Sequence, residues 1–218
     1  MNAMTDDVLV ELARVKAVPV IRAGSIEHAM RAALWLAEAG MTVLEMTLTT
    51  PGVFEGIAEL RKMPGLIVGA GTVLSRQDAR LAIAAGSQFV VTPCWVEGVI
   101  EQALMAKIPA LIGTANPSEI WHAHTAGAAA VKVFPAACVG GAAYVKQVRA
   151  VFPGVRMMPT GGVTVETAPD YLAAGAFCIG LGSELVSAKA LVANDKASVV
   201  AKARQLLERL SPSQTMAV

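Results

Sequence analysis

The stretch Ala126-Gly127-Ala128-Ala129-Ala130-Val131-Lys132-Val133-Phe134-Pro135 carries the two signals from which the fold of this chain is read. Ala126-Gly127 is a helix stop, because glycine takes the left-handed conformation that turns a chain out of a helix and into the next strand. The apolar run behind it, residues 128–134, has the near-continuous pattern of a strand covered on both faces. One cation, Lys132, stands inside that run. A cation in such a place must be paired, must reach water, or must act as an unprotonated amine.

The same stop recurs at Ala39-Gly40, Ala85-Gly86 and Ala174-Gly175, which separates successive glycines by 46, 41 and 48 residues. Strand-like runs begin near Val18, Val43, Leu66, Phe89, Ala110, Ala130, Val155 and Phe177, at intervals of 25, 23, 23, 21, 20, 25 and 22. Each of these four Ala-Gly pairs therefore precedes an even-numbered strand, a repeat of two βα units. Segments rich in Ala, Leu, Glu and Gln, such as 25–39, 75–85, 96–106 and 142–151, have helical character and lie between strands. Alternating β and α units with apolar strands imply a parallel sheet covered by helices, and the two-unit repeat predicts closure into a (β/α)8 TIM barrel. A doubly wound open sheet is the alternative, but no GxGxxG follows the first strand. Residues 1–16 are expected to form an extra N-terminal helix that covers the barrel bottom. Thr5 or Asp6 is its expected cap, and Val8, Leu9, Leu12, Ala13 and Val15 its mostly apolar face.

With 218 residues, 55% of them hydrophobic and 16% charged, the chain reads as one domain with a large core. Residues 211–218 are expected to be a flexible tail. No apolar run approaches the length of a membrane span, and residues 1–7 lack a basic region followed by an apolar one, so no membrane or secretory role and a cytoplasmic location are expected. Eighteen Lys and Arg against 17 Asp and Glu give a net charge of +1, which supplies no general attraction to nucleic acid. Cys94, Cys138 and Cys178 have no CxxC spacing and are expected to be reduced, partly buried thiols. His122 and His124, two apart, do not share a helix face, and no acidic cluster joins them, so no metal site is expected.

In a (β/α)8 barrel the chemistry gathers at the C-terminal ends of the strands. There the chain places Arg22 after Val18-Pro19-Val20-Ile21, Glu45 and Thr47 in Val43-Leu44-Glu45-Met46-Thr47-Leu48, Gly71-Thr72 at the end of the third strand, and Lys132 in the sixth. Period-two alternation puts Glu45 and Thr47 on one face and Lys132 and Phe134 on another. The second and sixth strands lie across the barrel from each other, so the carboxylate and the amine can meet inside. A plain internal ion pair and a catalytic pair both fit these residues.

The motifs resemble those of the 2-keto-3-deoxy-6-phosphogluconate (KDPG) and 4-hydroxy-2-oxoglutarate (KHG) aldolases. Pro19-Val20-Ile21-Arg22, Leu44-Glu45-Met46-Thr47, Val68-Gly69-Ala70-Gly71-Thr72-Val73, Thr92-Pro93, Val131-Lys132-Val133-Phe134-Pro135-Ala136, Pro159-Thr160-Gly161-Gly162-Val163 and Ile179-Gly180-Leu181-Gly182-Ser183 carry the resemblance across residues 18–186. It implies a class I, Schiff-base aldolase without cofactor or metal, acting on a 2-keto acid or its phosphosugar form, and assembled as a homotrimer. Lys132 would form the imine and Glu45 would move the protons. Thr47, Pro93 and Phe134 would shape the pocket. Arg22, Thr72 and the Gly71 amide would hold the keto-acid carboxylate, although a surface ion pair is an alternative for Arg22. Gly161 and Gly162, with Gly182 and Ser183, would cradle a phosphate in the loops after the seventh and eighth strands. The position after Thr47-Leu48, an arginine in some members, is Thr49 here, which puts the C4 stereochemical preference in question. A phosphogalactonate-type aldolase, and a phosphosugar-binding barrel of other chemistry, are the alternative readings.

Overall fold

Five helices begin at a side-chain oxygen that accepts from their first turn, and four end at a glycine of positive φ. The computed structural model describes residues 3–211. Along the chain it holds α1 (Ala3–Val15), β1 (Ala17–Ile21), α2 (Ile26–Glu38), β2 (Val43–Thr47), α3 (Val53–Leu60), β3 (Ile67–Gly71), α4 (Arg76–Ala84), β4 (Val90–Val91) and α5 (Glu97–Ala106). There follow β5 (Ala110–Thr114), α6 (Pro117–Thr125), β6 (Ala130–Val133), α7 (Gly141–Val151), β7 (Met157–Pro159), α8 (Ala168–Ala173), β8 (Ile179–Leu181), α9 (Ala188–Val192) and α10 (Lys196–Leu210). Ser25, Ser75 and Asn116 accept from the backbone amides of His28, Asp78 and Glu119 at 3.3, 3.0 and 3.0 Å, which satisfies first-turn donors of α2, α4 and α6. The Glu119 carboxylate accepts in turn from the Ala115 amide at 2.7 Å, one residue before the cap. At the other ends, Gly40, Gly86, Gly127 and Gly175 have φ of 101°, 97°, 98° and 94°, so all four Ala-Gly pairs are the helix stops expected of them.

All recorded strand pairs are parallel, and the strands run in the order β7-β6-β5-β4-β3-β2-β1-β8. A Thr160–Gly180 bridge and a bond from the Phe177 amide to the Met157 carbonyl at 2.8 Å close β7 onto β8. The result is the (β/α)8 barrel, with every strand within two residues of its expected start.

At the barrel bottom, Val8, Leu9, Leu12 and Val15 of α1 pack on an interior layer of Val18, Val43, Phe89, Val91, Leu111, Ala130, Met158 and Cys178. Two details of the expected helix are corrected. The helix starts before Thr5 and Asp6, because Ala3 and Met4 favour helix and an acidic residue is well placed in a first turn, so neither residue is the cap. Ala13 faces outward. Of the expected tail, residues 212–218 lie outside the described residues.

Candidate active site

Above the plug, the interior of the barrel changes from apolar to polar. Glu45 on β2 is fully buried and Lys132 on β6 is 5% exposed. Their register partners are Val20 and Gly69 for Glu45, and Gly113 and Met158 for Lys132. Across the lumen Lys132 Nζ lies 3.7 Å from Glu45 Oε1. That separation is a Coulombic contact longer than a direct charge-assisted hydrogen bond. Among the described residues, neither carboxylate oxygen of Glu45 has a hydrogen-bond partner. Lys132 lines a cleft of about 1200 Å³ at the C-terminal end of the strands, whereas Glu45 does not, so the amine faces the cleft and the carboxylate stands behind it.

The polypeptide makes room for this carboxylate. A Cβ built on Gly71 would collide with the Glu45 carboxyl group. Gly71 itself does not line the cleft. Thr47 stands two residues beyond Glu45 on β2. It is fully buried, its hydroxyl lies 3.0 Å from that of Thr49, and it does not line the cleft. Strand alternation places its Cα on the same face as Glu45, but the turn after β2 captures the hydroxyl.

Pro93 and Phe134 line the cleft, and the Phe134 ring centroid is 5.5 Å from Lys132 Nζ. Arg22 and Thr72 also line it, and the guanidinium Nη2 of Arg22 donates to Thr72 Oγ1 at 3.4 Å. Arg22 forms no ion pair with a carboxylate among the described residues, so the surface-pair alternative finds no partner. Thr72 has φ 57°, a left-handed backbone that aims the residue away from the line of β3. At the far end of the same cleft lie Gly161, Gly162, Gly182 and Ser183. Gly161 and Gly162 have φ of 90° and 75°, and a Cβ on Gly162 would collide with Ala137. The Gly182 carbonyl accepts from the amides of Leu185 and Val186 at 3.0 and 3.2 Å, which winds a helical turn just after β8.

Several contributors had no role assigned to them from the sequence. Thr114 Oγ1 donates to the Lys132 carbonyl at 3.3 Å and steadies β6 at Lys132. Thr92 accepts the Gly113 amide at 2.8 Å. Thr160, 5% exposed, lines the cleft beside Gly161, as do Ser25 and His28 from the start of α2. Thr92 and Thr160 stand inside quoted motifs, and the signal of the others was position at or just past a strand end. The His122 ring packs on Trp95 with centroids 4.2 Å apart. Cys178 is buried, and its burial pushes the thiol well above the ordinary range. Cys94 and Cys138 are exposed, which corrects their expected partial burial: both sit in loops at strand ends rather than on strands.

The family model for KDPG and KHG aldolases matches residues 8–202. The KHG/KDPG aldolase of Escherichia coli (strain K12) is 38% identical over 193 residues, 88% of this chain and 90% of that protein. The crystal structure of the 2-keto-3-deoxy-6-phosphogluconate aldolase of Zymomonas mobilis ZM4 with 3-phosphoglycerate superposes with a TM-score of 0.82 at 35% identity, covering 94% of this chain and 96% of that one. A KDPG aldolase from Legionella pneumophila, with pyruvate captured as a covalent carbinolamine, superposes with a TM-score of 0.83 at 29% identity over 91% of this chain and 97% of that one. Agreement in sequence and in fold over nearly the whole length settles the lineage of this barrel: the chain belongs to the KDPG and KHG aldolase family.

Proposed function

We propose that this chain is a class I aldolase that cleaves KDPG to pyruvate and glyceraldehyde 3-phosphate through a Schiff base on Lys132, and that it also cleaves 4-hydroxy-2-oxoglutarate. The observation that carries the reading is a cleft-lining lysine whose amine lies 3.7 Å from a buried carboxylate with no hydrogen-bond partner among the described residues. As the free amine, Lys132 attacks the C2 carbonyl, and loss of water leaves an iminium. Glu45 takes the proton of the C4 hydroxyl while the C3–C4 bond breaks, and the bonding electrons flow into the iminium to form an enamine. The aldehyde departs. Glu45 then returns a proton to C3, and water releases pyruvate and regenerates Lys132. Arg22 with Thr72 holds the carboxylate end, Pro93 and Phe134 keep the reacting carbons dry, and Gly161, Gly162, Gly182 and Ser183 receive the phosphate.

Intact mass after pyruvate and borohydride tests this reading. A reduced pyruvate adduct mapped to Lys132 is expected, and a folded protein without adduct would move the assignment to a phosphosugar barrel of another chemistry. Turnover of the two C4 epimers, phosphogluconate-type and phosphogalactonate-type, then reports the stereochemical preference in a chain that carries Thr49. A cytosolic homotrimer is part of the same proposal. Two exposed free thiols, Cys94 and Cys138, suit a reducing compartment, and no helix among the described residues is long and apolar enough to cross a membrane. Leu104, Met105, Trp121 and Val151 project exposed apolar side chains from the consecutive helices α5, α6 and α7, a surface suited to subunit contact.

A further inference from the structure

The turn that ends β2 also holds the loop that follows β1. The two strands stay in register through Val20 with Glu45 and Ile21 with Met46. β1 then ends, and Arg22 turns into the cleft. The next backbone donor, the buried Ala23 amide, has left the strand ladder and needs another acceptor. It finds the Thr50 hydroxyl at 3.2 Å. Thr50 is 2% exposed, does not line the cleft, and is itself tied back by its amide to the Thr47 carbonyl at 3.0 Å. One buried threonine therefore joins the end of the strand that carries Glu45 to the residue after Arg22.

We propose that Thr50 is a positioning residue that sets the reach of Arg22 relative to Glu45, and so the affinity for the carboxylate end of the keto acid. This rests on the reading of Arg22 as the carboxylate holder. A misplaced guanidinium weakens binding and leaves the imine chemistry at Lys132 untouched, so the effect belongs to half-saturation and not to turnover. A valine at position 50 keeps the shape and removes the acceptor.

The test measures kcat for cleavage and the pyruvate concentration that gives half-maximal borohydride trapping, in wild type, Thr50→Val, Thr50→Ser, Arg22→Ala and the Arg22→Ala/Thr50→Val double variant. Thr50→Val should raise the half-trapping concentration about fivefold or more with kcat within about twofold, as loss of one buried hydrogen bond implies. Thr50→Ser, which keeps the acceptor, should restore it. The double variant should be no weaker than Arg22→Ala, since Thr50 acts through Arg22. Weakened trapping in Arg22→Ala beside wild-type trapping in Thr50→Val overturns the role of Thr50 alone, as does a loss confined to kcat or a double variant in which the two losses multiply. Wild-type trapping in Arg22→Ala removes the reading of Arg22 and this inference with it. If Thr50→Val fails to fold, Thr50→Ala carries the same expectations without the added methyl group.

Discussion

Lys132 and Glu45 are each withdrawn from water, and each ion loses several kcal/mol of hydration that only good mutual geometry recovers. At 3.7 Å the pair lies beyond a direct charge-assisted hydrogen bond, so that recovery is incomplete, as fits a pair proposed to carry the chemistry. Stability and activity should separate accordingly. Lys132→Met leaves a buried carboxylate without its cation and should lose about 3–5 kcal/mol at neutral pH, whereas the Glu45→Gln/Lys132→Met double variant should recover most of it in chemical denaturation. Both variants should fall at least about 10³-fold in turnover and form no pyruvate adduct. Gly71→Ala probes the same carboxylate by sterics, since the new Cβ must displace the Glu45 side chain. It should lower kcat about 10²-fold or more while Lys132 still traps pyruvate; wild-type turnover would show that Glu45 tolerates the shift.

The N-terminal helix is the element on which the barrel interior depends from below. Leu12 of α1 is completely buried in the layer that contains Phe89 and Met158, so Leu12→Ala should cost about 2–5 kcal/mol in the same denaturation experiment. The helix is also fastened from the side. Arg14 donates to Glu11 through Nε at 2.7 Å and Nη2 at 2.6 Å, and the Thr42 hydroxyl just before β2 donates to the same carboxylate. The bond from Arg14 chiefly, with Thr42 and the nearby guanidinium charge, holds the Glu11 carboxyl below its usual range although partial burial opposes it. A depressed carboxyl stabilises the fold above its unfolded pKa and loses that contribution as pH falls through the folded value. The stability difference between wild type and Glu11→Gln, measured at pH 7, should therefore shrink below about pH 4. An undiminished difference in acid would mean that packing and not charge makes the contact.

At the scale of the whole molecule, the exposed apolar side chains of α5 to α7 suit the proposed trimer. Light scattering should give about three times the 22.5 kDa chain mass, and Met105→Asp with Trp121→Asp should reduce it toward one. What could be read along the chain was local or periodic. Helix stops at Ala-Gly, serine and asparagine caps, the spacing of eight apolar runs and the two-residue alternation along each strand depend on neighbours a few positions apart, so they placed the barrel and turned Lys132 and Glu45 inward without coordinates. Other features depend on which atoms meet across the lumen or beyond a strand end. The approach of Lys132 to Glu45 joins positions 87 apart, and its length follows from barrel closure at Thr160 and Gly180. The room Gly71 leaves for Glu45, the contact of Thr47 with Thr49, the contact of Arg22 with Thr72 and the exposure of Cys94 and Cys138 arise in the same way. The sequence by itself determined the fold and the inward placement of the two charged groups proposed to react, because backbone propensity and side-chain period act over short range. The tertiary structure alone decided how those groups are spaced, supported and approached, because strand stagger and turn geometry set distances that no local pattern encodes.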